Sequence, residues 1–317
     1  MTPGYLFGTL IRFSVTVNFN VNFRKDDKLQ MNILIALIPA IGWGIQPMII
    51  SKMGGRETNQ ILGTGLGALL VGLVTLLMTN MVTGAAFWMS LLSGAFWVIG
   101  QTGQYISFNR IGVSKTMPLS TGFQLVGTSL IGVLMFGEWK GAGARVFGFL
   151  AIALIIVGVL MTTVGEKSDG KDNSTMAAAL TTLLPTTIGY WIYSVLPKIP
   201  LLADKSGMSY FFPQMLGIFL GASVYALVMS KGKAFSEAAT WKNGIVGIVF
   251  SLSALAYIFS AKANGVATAY VITQLNVVIS TLGGMFVLHE ARRGRAMTFT
   301  LLGLLLVVVG SVVTAFL

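Results

Sequence analysis

The stretch that decides the fold is YISFNRIGVSKTMPLSTGFQLVGTSLIGVLMFGEW, Tyr105 to Trp139. It returns 152 positions later, Tyr257 to Ala291, as YIFSAKANGVATAYVITQLNVVISTLGGMFVLHEA. Extended without a gap, Tyr105–Gly165 against Tyr257–Leu317 gives 61 pairs, of which 15 are identical. The matches include Thr116 with Thr268, Thr121 with Thr273, Gly132 with Gly284, Glu138 with Glu290, Phe147 with Phe299 and Gly158 with Gly310. Shared apolar composition aligns leucines and valines by accident, but it does not align Tyr, Thr, Gly and Glu in one frame, so the sequence reads as a duplication. Earlier in each copy the match is looser, with PAIGWGIQPMIISK from Pro39 resembling PTTIGYWIYSVLPK from Pro185.

The duplicated unit is apolar. Of 317 residues, 55% are hydrophobic and only 10% charged, against about 25% charged in soluble domains, which places the chain in a membrane. A bilayer core about 30 Å thick needs about 20 apolar residues per helix. That ruler places ten spans near 32–52, 60–79, 85–107, 116–137, 144–165, 176–197, 209–230, 243–262, 266–288 and 296–316. Residues 1–30 stand apart: Val15–Phe23 alternates at a strand period, charged RKDDK follows, and Met31 opens the first span directly. They read as a disordered leader or an overextended start. The first five-span repeat then covers 31–165, the polar EKSDGKDNST of 166–175 is a solvated linker, and the second repeat covers 176–317.

An odd number of spans per copy makes the second copy enter the membrane from the opposite side. The expected fold is therefore an all-α membrane protein, ten transmembrane helices as two inverted five-helix repeats. That architecture is characteristic of secondary transporters with a midplane site between the halves and alternating access. Gly63 and Gly67 in span two, and Gly217 and Gly221 in span seven, each put small residues on one helical face, where helices approach closely.

Polar side chains are costly in hydrocarbon and so favour a cavity or a buried contact. Gln101, Gln104 and Tyr105 form one stripe on span three; Gln124 in span four pairs through the repeat with Asn276 in span nine, beside Gln274. Trp43 and Gln46 in span one and Tyr190, Trp191 and Tyr193 in span six add aromatic surface. A sugar offers C–H faces for stacking and hydroxyls that donate and accept, which suits amides carrying both functions. The substrate-binding candidates are therefore Trp43, Gln46, Gln101, Gln104, Tyr105, Gln124, Tyr190, Trp191, Gln274 and Asn276. Interhelical amide bonds that glue the bundle are the alternative for any one of them.

The ionisable inventory excludes most covalent and metal chemistry. There is no cysteine, and His289 is the single histidine, so no catalytic residue, metal site or cofactor is expected. The charge of +11 sits in clusters between apolar runs, which suits lipid headgroups rather than nucleic acid. None of the ten acids lies near the centre of a span. Glu138 and Glu290 stand just before spans five and ten, where a carboxylate can satisfy free helix amides or, alternatively, serve proton coupling.

The start MNILIALIPAIGWGIQPMIISKMGG, the block QTGQYISFNRIGVSKTMPLSTGFQLVGTSLIGVLMFGEW and its echo YVITQLNVVISTLGG resemble the glucose/ribose uptake family of the drug/metabolite transporter superfamily. The resemblance spans Met31 to Leu317. It implies a ten-helix, multi-pass carrier of the cell membrane that takes up a monosaccharide, ribose or glucose, with protons as the usually proposed coupling partner. Its superfamily pattern of a Glu closing spans four and nine implies a structural role for Glu138 and Glu290. An exporter of small metabolites or drugs on the same fold is the alternative; a cationic-drug exporter would be expected to offer a membrane-embedded carboxylate, and none is seen. No oligomeric state follows from the sequence.

Overall fold

The computed structural model describes residues 25–164, 171–264, 266–290 and 294–317. Among these, every regular element is helical, as the apolar runs require, and no strand is present. The alternating segment Val15–Phe23 lies outside the described residues.

In chain order the helices are α1 (Lys25–Met53), α2 (Glu57–Leu76), α3 (Ala85–Ile111), α4 (Val113–Phe136), α5 (Ala142–Thr163), α6 (Lys171–Thr186), α7 (Ile188–Val195), α8 (Gly207–Ser230), α9 (Ala238–Lys242), α10 (Gly244–Asn264), α11 (Val266–Thr273), α12 (Leu275–Phe286) and α13 (Gly294–Ala315). Eight are long and apolar enough to cross a membrane, where α9–α10 and α11–α12 each count as one. The protein is thus a multi-pass membrane protein.

Two of the ten expected spans fall outside those eight, for physical reasons. Span three falls on α3, which is 27 residues long but buries Ser90, Ser93, Gln101, Thr102, Gln104 and Ser107, so polar side chains dilute its hydropathy. Span six is divided at Thr187 into α6 and α7. There Pro185 lacks an N–H, the Thr187 hydroxyl donates to the Leu183 carbonyl at 2.6 Å, and the Tyr190 N–H reaches only as far back as Thr187. A similar tight turn at Gln274 separates α11 from α12, with the Gln274 N–H on the Val271 carbonyl. Helix α1 starts at Lys25 and α6 at Lys171, each several residues ahead of the expected span.

Backbones approach closely where the glycines sit. A Cβ on Gly67 would overlap the Gly244 carbonyl of α10, and one on Gly217 would overlap the Leu91 carbonyl of α3. Helix α2 accordingly packs on α8 and α10, α8 on α3, α1 on α10 and α12, and α3 on α6 and α7, while α5 packs on α13. The outer faces of α5 and α13 expose Phe147, Leu150, Leu160, Leu302 and Leu305, as lipid contact requires. Buried hydroxyls are satisfied mostly within their own helices: Ser90, Ser107 and Thr300 each donate to the carbonyl four residues back.

Candidate functional site

Helix α3 presents its polar stripe to four neighbours, α1, α2, α4 and α7. The Gln101 amide donates to the Gln104 carbonyl oxygen at 2.9 Å. From α7, the Tyr190 hydroxyl donates to the Gln101 carbonyl oxygen at 2.9 Å and lies 3.4 Å from that of Gln104. On the other side, Ser120 of α4 receives the amides of Gln104 at 3.0 Å and Gln124 at 3.1 Å. One turn along α3, the Tyr105 hydroxyl accepts from the Gln46 amide of α1 at 3.3 Å and stands 3.0 Å from the Thr64 hydroxyl of α2. Five helices thereby converge on a chain of uncharged groups.

These groups are out of solvent: Gln101, Gln104, Gln46 and Tyr105 are 5%, 6%, 7% and 1% exposed, and Ser120 is fully buried. Beneath them lies an aromatic floor. The Trp97 ring is 4.5 Å from Phe250, 6.2 Å from Tyr190 and 6.4 Å from Tyr193. Trp43 donates its indole N–H to the Phe250 carbonyl and tilts against Tyr257, its ring 6.0 Å away. The combination of apolar ring faces with amides and hydroxyls can bind a neutral polyhydroxylated molecule, and it supplies no nucleophile and no charge.

Of the ten expected site residues, six share this network: Gln46, Gln101, Gln104, Tyr105, Gln124 and Tyr190. Trp43 reaches it through Phe250. Trp191 is placed differently, donating to the Phe123 carbonyl at 3.0 Å with its indole laid over Gly127 of α4, a packing role. Gln274 folds back on its own helix, its amide on the Tyr270 carbonyl at 3.3 Å, and its carbonyl oxygen is buried with no hydrogen-bond partner. Asn276 is half-buried where α12 passes Gly44 of α1. Thr64, Ser120, Trp97 and Phe250 were not legible as site residues. Serine and threonine in membrane helices usually bond their own backbone, so their type alone carries no signal.

Glu290 does satisfy helix amides, but not those of the following helix. Its carboxylate accepts the N–H groups of Val113 and Ser114, at 2.6 and 2.7 Å, at the start of α4. The reason is local: His289 takes the left-handed conformation at φ +56° and the Glu290 N–H bonds the Gly284 carbonyl, which turns the side chain back along α12. Glu138 has the same turn, with Gly137 at φ +63° and its N–H on the Gly132 carbonyl, yet its carboxylate receives Lys198. At another end of the bundle, Arg56 donates to both oxygens of Glu237 at 2.7 and 2.8 Å, tying the start of α2 to α9. That pairing holds the Glu237 carboxyl below the usual carboxylate range, chiefly through the Arg56 hydrogen bond and then that of Asn59.

A cavity of about 350 Å³ between α4, α5 and α6 is lined by apolar residues such as Leu119, Phe123, Ile155 and Met176, and includes none of the ten.

Comparison with known proteins gives this arrangement its context. The chain matches the family described as "Sugar transport protein" over residues 34–317. It is 44% identical over 285 residues to a "Putative sugar uptake protein" of Lactobacillus helveticus, covering 89% of this chain and all of that one. It is 40% identical over 289 residues to the "Putative ribose uptake protein RbsU" of Staphylococcus epidermidis, covering 90% and 98% of the two chains. A crystal structure superposes with a TM-score of 0.52 over 90% of this chain and 96% of that one, and at 16% identity it bears on the fold alone. The chain belongs to the sugar transport protein family, a family of carriers rather than enzymes.

Proposed function

We propose that the chain is a cell-membrane monosaccharide uptake permease, with ribose or glucose as substrate, working by alternating access between two inverted five-helix repeats. The observation that carries the reading is the buried, uncharged network of Gln101, Gln104, Tyr190 and Ser120 above the Trp97 ring. Sugar hydroxyls can exchange for the Gln and Tyr contacts one for one, since each group both donates and accepts.

Two facts support the repeat. The ten-span reading finds a helical segment at every expected position, with α6–α7 and α11–α12 as single spans. The packing partners also map onto one another when the halves are exchanged: α2 on α10 answers α8 on α3, and α1 on α10 answers α6 and α7 on α3. The relatives' printed names, sugar uptake and ribose uptake, favour a monosaccharide over a drug.

Uptake of labelled ribose and glucose in sugar-transport-deficient cells, with and without an uncoupler, tests the reading. Saturable uptake of either sugar is expected. Uptake that survives the uncoupler identifies facilitated passage, uptake that collapses identifies proton coupling, and uptake of neither sugar overturns the substrate assignment.

A further inference from the structure

Glu138 and Glu290 occupy equivalent places in the repeat, 152 positions apart, and their surroundings within α4 and α12 match closely. Each follows a left-handed residue, Gly137 or His289, and each sends its N–H to a glycine six residues back, Gly132 or Gly284. Each carboxylate lies over that glycine, where a Cβ would meet it. Local sequence therefore does not explain why the two carboxylates hold different partners. Glu290 holds the amides of Val113 and Ser114 at the start of α4. The repeat-equivalent partner of Glu138 is the start of α11, whose first described residue is Val266, but among the described residues Glu138 holds Lys198 instead. The packing agrees: α4 lies against α12 and has no comparable packing on α11 among the described residues.

Among the described residues, the pair formed by α4 and the α11–α12 span is thus closed at the Glu290 end and not at the Glu138 end. Gly112, at φ +80°, and Gly284 leave room for the closed contact, since a Cβ on Gly112 would stand 2.8 Å from the Glu290 carboxyl carbon and one on Gly284 2.7 Å from the Ser114 nitrogen. A bare carboxylate against free helix amides is strong when dry and is replaced by water when opened, which suits a contact that must break in every cycle.

We propose that Glu290 with the start of α4, and Glu138 with the start of α11, are two alternating latches, each closing one face of the carrier, and that this structure has the Glu290 latch shut. The inference rests on the alternating-access reading and not on the identity of the sugar. Lys198 is then the partner that holds Glu138 while its own latch is open.

The test uses the full chain, which has no native cysteine, purified into lipid nanodiscs without sugar. Spin labels go on cysteines replacing Asn109 and Phe286 to report the Glu290 end, and on their repeat equivalents Ala261 and Leu134 to report the other. Glu290→Ala is expected to lengthen the Asn109–Phe286 distance and shorten the Leu134–Ala261 distance, changing the ratio of the two states about tenfold or more. Glu138→Ala leaves the Asn109–Phe286 distance short. Should Glu290→Ala fold poorly, Glu290→Gln keeps an acceptor without the charge and moves the same distances less. If neither Glu290 variant changes either distance, and only thermal stability falls, Glu290 is a static cap and the proposal is overturned. Absence of ribose and glucose uptake by the parent, with these distance shifts intact, would instead overturn the substrate assignment and leave the latches standing.

Discussion

Helix α3 and its repeat counterpart α10 share a frame but not a surface. Tyr105 corresponds to Tyr257, yet Gln101 corresponds to Ser253 and Gln104 to Ala256, and Ser120 of α4 corresponds to Ile272 of α11. On the first side the polar groups reach across to α1, α2, α4 and α7. On the second, Ser253 turns inward to the Val249 carbonyl and the Tyr257 ring tilts against Trp43. Gly132 and Gly158 recur as Gly284 and Gly310, and the turns before Glu138 and Glu290 agree. The hydrogen-bonding groups of Gln101, Gln104 and Ser120 do not recur with them, so the site is not repeated where the sequence is.

Substitutions at matched positions probe that asymmetry. The largest effect is expected at Gln104→Leu, which strands Gln101 and removes an acceptor of Tyr190 and a donor to Ser120. With about 1 to 3 kcal/mol for each buried partner left unpaired, uptake should fall about a hundredfold at equal membrane abundance. Ala256→Leu, its counterpart, should change uptake less than threefold by the usual tolerance of half-buried packing sites, roughly 0.5 kcal/mol. Equal losses in the two variants would mean that the halves contribute alike.

Next comes the tyrosine pair. Tyr105→Phe leaves the Gln46 amide short of its partner inside the bundle, while the Thr64 hydroxyl keeps the Gln60 carbonyl; at about 1 to 3 kcal/mol for the stranded amide, it should lower the melting temperature measurably. Tyr257→Phe keeps the ring against Trp43 and should melt like the parent. Gln274→Leu is expected to behave unlike either. It removes a buried carbonyl oxygen that has no partner, so stability should hold or rise, while uptake drops about tenfold if that oxygen takes a sugar hydroxyl. Unchanged uptake would take Gln274 off the list of sugar contacts.

The smallest effect is expected at the Arg56–Glu237 pair, which is exposed and screened. Because the folded state holds the Glu237 carboxyl below its ordinary range, the pair stabilises at pH above that range and its contribution is lost as pH falls through the lowered value. Melting curves of Glu237→Gln and the parent should therefore differ slightly near neutrality and converge in acid. A difference that grows on acidification would reverse the sign and refute the pairing.

The all-helical, membrane-spanning character was legible because burial in lipid writes itself as apolar length; the repeat is a reading of Tyr, Thr, Gly and Glu aligned in one frame. The stripe Gln101, Gln104, Tyr105 was legible from helical spacing, which said nothing of its partner; the structure brings Gln101 and Gln104 to Tyr190. What escaped is tertiary. Which of several tryptophans stacks in the site depends on a backbone carbonyl: that of Phe123 pins Trp191 to α4, and that of Phe250 pins Trp43 near Trp97. Gln124 and Asn276 correspond in sequence, but Gln124 is tied to Ser120 whereas Asn276 sits beside Gly44, since Ser120 has no counterpart hydroxyl at Ile272.

Every described charged residue stands in the first or last turn of a helix or in a connection, and the network at Gln101 and Gln104 is formally neutral. A membrane potential does about 2.3 kcal/mol of work per elementary charge per 100 mV, but only on charge that crosses the field. Under the proposed alternating access around an uncharged sugar, no charge among the described residues would make that crossing. Such a turnover would be electrically silent, its direction set by the sugar gradient unless an ion enters with the cargo.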